Sequence, residues 1–247
     1  MAATRRLWLA GAGAALLSRP AFAAPDAFAS QRRRMVDDVI QLIAAGALPG
    51  VERIDPRVLD VMRRTPRHRF VPAAVQAQAY GPEALAIGHG ATISAPLIVA
   101  AMTTLLQPRA DHRVLEVGAG SGYQAAVLSP LVRHVYTVEI VAPLATEARA
   151  RLAGMGYRNV TVRAGDGYLG WPEHAPFDRI LVTAGATHIP QPLVRQLKPG
   201  GRMVIPLGRT QSEQRLVLVS KDAAGRPSTQ RLARVIFVPL VESARPR

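Results

Sequence analysis

Arg113-Val-Leu-Glu-Val-Gly-Ala-Gly-Ser-Gly-Tyr123 decides how the chain is read. Val114, Leu115 and Val117 form a short apolar run, glycines follow at the alternate positions 118, 120 and 122, and Gln124-Ala-Ala-Val-Leu128 turns helix-like. This order predicts a buried strand, a tight turn and a helix start. Glycine admits left-handed backbone angles and lets a ligand approach the main chain without meeting a Cβ. A helix N-terminus adds unpaired N–H groups. The stretch is therefore the place for a nucleotide-like ligand.

Spacing narrows the ligand. A dinucleotide loop would read G-x-G-x-x-G, with its third glycine where this chain has Tyr123; here the glycines run G-x-G-x-G, with Glu116 just before them. The next apolar run, His134-Val-Tyr-Thr-Val-Glu-Ile140, reaches an acid, Glu139, at the distance where α/β folds hold ribose hydroxyls. A third run, Asn159-Val-Thr-Val-Arg-Ala164, is followed by Gly165-Asp166-Gly167. Three successive strand ends, all polar or glycine-rich, describe one nucleoside pocket. The pattern resembles class I S-adenosylmethionine-dependent methyltransferases. In that class the first loop holds the methionine end, the acid after the second strand the ribose, and the Asp after the third the adenine amine. The implied fold is α/β: a Rossmann-like sheet, mostly parallel with an antiparallel C-terminal strand, helices on both faces, and a small N-terminal helical subdomain.

Residues 1–23 do not belong to that globule. Thr4-Arg-Arg-Leu-Trp-Leu9 opens a charged start, 7–17 is apolar and alanine-rich, and Ala21-Phe-Ala23 gives an A-x-A cleavage site. The paired arginines resemble a twin-arginine export signal, so a cleaved leader and a periplasmic or secreted protein are expected, with a cytoplasmic one as the alternative. The remainder, 24–247, is expected to form a single domain, with 31–86 as the helical part and 87–247 as the cofactor-binding core. No apolar run after the leader is long enough to span a membrane.

The 247 residues carry 31 Lys+Arg against 17 Asp+Glu; residues 1–23 hold three of the +14 and leave +11. Such a balance favours acidic partners. Its densest patches are Arg32-Arg33-Arg34 and Arg63-Arg64-Thr65-Pro66-Arg67-His68-Arg69, which read as solvated faces. Only 5% of residues are aromatic, too few to interleave stacking rings with these charges, so nucleic acid is not an expected partner. The chain has no Cys, which excludes disulfides and thiol nucleophiles, and its six histidines show no i, i+4 spacing, so no metal site is expected.

Taken in order, helical spacing covers 35–43, and Asp55-Pro56 reads as a cap and first turn of a helix over 57–64. Ile87-Gly-His-Gly-Ala-Thr-Ile-Ser-Ala-Pro96 is a shaped loop leading into a helical run over 97–106, and Ser94 sits where an N-cap would be, a place equally suited to presenting a hydroxyl to an anion. Beyond the glycine loop the α/β alternation continues with a helix over 141–155, a strand over 177–183 and a short helix ending at 197. Lys198-Pro-Gly-Gly201 is a tight turn into a strand over 202–206, and two more strands, 214–220 and 231–240, flank a turn at 222–227.

Pro66-Arg-His-Arg-Phe-Val-Pro72, the 87–96 stretch, the 114–123 loop, Gly165-Asp-Gly167, Leu197-Lys-Pro-Gly-Gly-Arg202 and Val235-Ile-Phe-Val-Pro-Leu240 together resemble the successive motifs of protein-L-isoaspartate O-methyltransferases. The likeness runs from about 35 to 241. It implies methyl transfer from S-adenosyl-L-methionine to the α-carboxylate of isoaspartyl residues in damaged proteins and peptides, by a monomer. It implies Ser94 as the residue bonding that carboxylate, with Ala91, Thr92 and Ile93 beside cofactor and substrate. Glu116, Gly118, Gly120, Gly122, Glu139, Asp166 and Gly167 would carry the cofactor, and the backbones of Val238 and Leu240 would pair with an extended peptide. The chemistry suits the residues, since an ionised carboxylate needs alignment and desolvation rather than a general base. The rivals are a nucleic-acid or small-molecule methyltransferase and a non-catalytic cofactor-binding relative. Against the first, Thr183-Ala-Gly-Ala-Thr187 stands where N-directed enzymes carry an Asn/Asp-Pro-Pro-aromatic clamp.

Overall fold

A computed structural model describes residues 26–242; the expected leader lies outside them. Seven strands form one sheet in the order β5-β4-β3-β6-β7-β8-β9. In chain order they are β3 (Arg113–Val117), β4 (His134–Glu139), β5 (Val160–Ala164), β6 (Phe177–Val182), β7 (Leu197–Leu207), β8 (Arg215–Lys221) and β9 (Pro227–Arg234). The first five pair in parallel, and β8 and β9 add antiparallel ladders. β3 is central, with Val114 opposite Val135 of β4 and Arg179 of β6. Its residues enter two cores: Val114 joins a cluster with Val99, Tyr123, Ala126 and Leu144, whereas Leu115 and Val117 join one with Trp171, Leu193 and Met203. Burial on both faces explains why this strand reads as a continuous apolar run.

Helices α3 (Pro96–Leu106), α4 (Tyr123–Leu128) and α5 (Ala142–Gly154) contribute to the first core, and α6 (Gln191–Gln196) to the second. The N-terminal helices α1 (Ala29–Ala44) and α2 (Pro56–Arg64) send Met35, Val36, Val58 and Met62 into the first cluster and have no separate core. Asp55 caps α2 by accepting the Arg57 N–H at 2.9 Å.

Five sequence expectations need correction. The 87–96 stretch is not a loop: β1 (Leu85–Gly88) and β2 (Ala91–Ile93) form an antiparallel hairpin. Ser94 is not a cap, because α3 is capped at Ala95 without a side-chain bond. Lys198–Gly201 does not precede its strand but bulges within β7, where the five steps from Leu197 to Arg202 face the two from Phe177 to Arg179. The last strand ends at Arg234, and 235–240 leaves the sheet. Pro239 has no N–H to give a ladder, and the Gln214 side chain accepts the Phe237 N–H at 2.6 Å. The arginine patches also divide: Arg33 and Arg34 are exposed, but Arg32 is buried, its Nε donating to the Arg63 carbonyl at 2.5 Å.

Glu116 is wholly buried in β3 opposite Thr137, and its carboxyl oxygens find no partner in ordinary hydrogen-bond geometry. Burial pushes this carboxyl from 4.5 up to about 8; the Thr137 hydroxyl opposes the shift and the charge of Glu139 adds to it. Between those values the unfolded chain loses the proton that the folded chain keeps, so stability falls as pH rises through that window. Glu116→Gln should therefore gain on the wild type as pH rises from 5 to 8, by something of the order of a few kcal/mol at the upper end. Thermal unfolding of the cofactor-free proteins across that range checks this, and a pH-independent difference would contradict it.

Candidate functional site

The sheet order places β3 beside both β4 and β6, so the chain crosses from one side of β3 to the other, and a crevice opens beyond the C-terminal strand ends at this switch point. There a cavity of about 250 Å³ is lined by Val117 at the end of β3 with Gly118 and Gly120 after it, by Val138 to Val141 around the end of β4, by Gly167 after β5 and by Thr183 and Ala184 after β6. His89, Gly90, Ala91 and Thr92 of the hairpin close one side, and Val238 to Val241 another.

The glycine loop is held from two directions. Gly118 donates its N–H to the Val138 carbonyl at 2.8 Å with φ at 97°, a left-handed angle that suits glycine, and a Cβ there would overlap the Thr183 hydroxyl oxygen. That hydroxyl donates to the Gly118 carbonyl at 2.6 Å, tying the end of β6 to the loop. Gly120 donates its N–H to Glu139 Oε2 at 2.8 Å, and the other oxygen of the same carboxylate accepts the Val141 N–H at 3.0 Å. A carboxylate accepts at about four positions, so Glu139 keeps lone pairs for ligand hydroxyls. At Gly167 a Cβ would overlap the Val117 side chain, so a bare backbone forms the floor.

These features fit an adenosyl ligand: an acid at the ribose position, apolar walls from Val138, Ile140 and Val141 beside it, and backbone surface where the remainder must pass. Asp166 stands next to this floor rather than in the wall; its Oδ1 accepts the Tyr168 N–H at 2.8 Å and caps the turn after β5. Gly122 likewise lies behind the wall as the N-cap of α4. Glu116 is not brought to the cavity, because strand alternation sends its side chain into the core beneath the loop.

A smaller lobe of about 40 Å³ adjoins the first and shares Thr92, Gly118, Gly120 and Thr183 with it. Ile93, Ser94, Val99, Ala119, Ser121, Tyr123 and Gln124 complete it. Its polar groups suit a small anionic acceptor meeting the ligand of the larger lobe at the shared residues.

Val238 and Leu240 both line the larger cavity. The Val238 carbonyl accepts the Gly185 N–H and the Leu240 N–H donates to the Gly185 carbonyl, each at 2.8 Å. The Val238 carbonyl and the Leu240 N–H are thus engaged within the chain, and Val238 to Val241 give the cavity an apolar run. Thr183, Ser121, Gln124 and His89 are wall residues that sequence reasoning missed. Only Thr183, as the polar end of an apolar strand, carried a readable signal. His188 sits outside the wall beside Tyr168, their rings 5.7 Å apart.

Comparison with known proteins agrees with this geometry. The family model for protein-L-isoaspartate(D-aspartate) O-methyltransferase (PCMT) matches residues 41–245. Protein-L-isoaspartate O-methyltransferase 1 of Cupriavidus necator is 54% identical over 220 residues, covering 89% of this chain and 85% of its own. Protein-L-isoaspartate O-methyltransferase 2 of a Polaromonas species is 58% identical over 191 residues, covering 77% and 90%. Among solved structures, a protein-L-isoaspartate O-methyltransferase superposes with a TM-score of 0.72 at 25% identity, over 83% of this chain and 65% of that longer one. A Plasmodium falciparum chain assigned to the same methyltransferase class, crystallised with S-adenosyl-L-homocysteine, gives 0.70 at 23% identity, over 86% and 99%, and shares the fold. With family model, relatives and fold in agreement, this chain belongs to the protein-L-isoaspartate(D-aspartate) O-methyltransferase family.

Proposed function

We propose that the two adjoining lobes are the cofactor and acceptor halves of one methyl-transfer site, with Ser94 as the residue that holds the acceptor. The chain is an S-adenosyl-L-methionine-dependent methyltransferase acting on the α-carboxylate of isoaspartyl residues, which initiates their repair. The observation that carries the assignment of lobes is their shared edge at Thr92, Gly118, Gly120 and Thr183, where a bound methyl donor and an acceptor at Ser94 can meet.

When bound, S-adenosyl-L-methionine supplies a methyl carried on a sulfonium. Glu139 holds the ribose hydroxyls while keeping the loop in place through Gly120. The walls around Val141 take the base, and Asp166 and Gly167 border it. Ala91, Thr92 and Ile93 form the partition between the lobes. The Ser94 hydroxyl donates to one oxygen of the acceptor carboxylate and leaves the other to attack. No proton need be removed, so the residues contribute by aligning two charged groups and excluding water from both. In the ester formed, the neighbouring backbone nitrogen attacks the carbonyl and methanol leaves, giving a succinimide that water opens.

Two predictions follow from these roles. Radiolabelled methyl should enter an isoaspartyl peptide as base-labile ester, and neither its aspartyl twin nor RNA; equal labelling of both peptides, or of RNA alone, would refute the assignment. Ser94→Ala should lower kcat/KM about ten- to a hundredfold, the range for one charge-assisted hydrogen bond. Its S-adenosyl-L-homocysteine affinity should stay within about twofold. A parallel loss of both would make Ser94 a structural residue.

The composition of residues 1–23 further supports export by the twin-arginine route, which carries folded proteins and so permits a bound cofactor, and we read the exported chain as a single-domain monomer. Fractionation should recover a shortened chain outside the cytoplasm, of monomer mass by light scattering. A full-length chain confined to the cytoplasm would overturn the export reading, and a dimer mass the monomer.

A further inference from the structure

Arg67 belongs to a run of basic residues that reads as a solvated face, yet it is 0% exposed. Its Nε donates to the Ala79 carbonyl at 2.8 Å and its Nη2 to the Ser94 carbonyl at 2.7 Å, while Nη1 is buried and finds no partner in ordinary hydrogen-bond geometry. Its Cζ lies 4.9 Å from the centroid of the Tyr123 ring, whose phenol burial pushes up to about 12 and so keeps neutral. No ion pair among the described residues includes Arg67. Burial lowers its affinity for the proton, but a guanidinium starts high enough to stay charged. A buried cation without a counter-charge is among the costlier arrangements a fold can hold.

Ser94 and Tyr123 both wall the acceptor lobe, so this cation stands one residue layer behind it. We propose that Arg67 is the standing counter-charge for the acceptor carboxylate: a positioning residue that draws the ionised acceptor into the lobe and lets it go once esterified. This rests on the reading that the acceptor docks at Ser94. In the transfer, the sulfur–methyl bond breaks with its electron pair staying on sulfur, and a carboxylate oxygen forms the new bond to the methyl carbon. A sulfonium and a carboxylate become a neutral thioether and a neutral ester. Attraction to Arg67 is therefore present for substrate and absent for product. Because it is strongest before reaction, it acts on acceptor affinity and product release rather than on the bond-making step. Two unit charges one layer apart, in a medium of effective dielectric about 20, favour the charged acceptor by roughly ten- to fiftyfold.

The test compares two peptides identical except that the isoaspartyl α-carboxylate of one is an α-carboxamide in the other. Their affinities are measured by competition against the S-adenosyl-L-homocysteine-bound protein. The wild type should prefer the acid by at least about tenfold, Arg67→Met should lose that preference, and Arg67→Lys should keep it within about threefold. An unchanged acid-to-amide ratio in Arg67→Met, or an equal loss of affinity for both peptides, would overturn the proposal, since a merely structural role cannot separate them. Should Arg67→Met fail to fold, judged by lost S-adenosyl-L-homocysteine binding, the other two proteins decide. A wild-type ratio near one overturns the proposal, and a preference retained by Arg67→Lys supports it. Failure of the wild type to methylate the isoaspartyl peptide would instead overturn the acceptor assignment.

Discussion

The carboxylate of Glu139 accepts the Gly120 N–H with one oxygen and the Val141 N–H with the other, and the site is built around this pair of bonds. One side chain joins the end of β4, the start of the following helix and the middle of the glycine loop. Both bonds are made within the chain, so the protein's own groups fix the loop against the strand. The same group is the acid that ribose hydroxyls would meet, which makes loop order and cofactor affinity two readings of one contact. Thr183 repeats the device from the other side, holding the Gly118 carbonyl to the end of β6. The loop is thus clamped between the strands that flank β3.

Two charges or potential charges are buried close to this clamp, and the fold treats them oppositely. Glu116 lies under the loop with no cation against it, and burial favours its protonated form. Arg67 cannot shed its proton, so its charge persists behind Ser94 and Tyr123. The difference follows from intrinsic proton affinity: burial can neutralise a carboxyl within the ordinary pH range but not a guanidinium. The smaller lobe thus has a positive charge behind it, which suits the carboxylate acceptor proposed for it.

Much of the fold was legible because its cause is local. The run Val114, Leu115, Val117 reads as a central strand since it is buried on both faces, and the alternate glycines mark the turn. Asp55-Pro56 marks a helix start by the same kind of local chemistry. That Glu139 and Gly167 fall into one cavity was legible for a related reason: the ends of successive parallel strands converge. Ser94 was misread as a cap, because whether a hydroxyl caps depends on one residue of register that the hairpin β1–β2 sets. The strand drawn over 231–240 failed where Pro239 removes a donor and Gln214, distant in sequence, captures the backbone of Phe237.

The sequence by itself determined the strand alternation, the kind of loop and, through the resemblance of its motifs, the reaction class, because these depend on residue types at short spacings. Only the tertiary structure decided which polar groups are spent and which remain. The Val238 carbonyl and the Leu240 N–H bond to Gly185, Glu116 turns into the core, and Arg67 leaves a basic surface run to stand behind Ser94. Those outcomes rest on contacts across tens of residues of chain, where the partner and the degree of burial fix what a side chain can do.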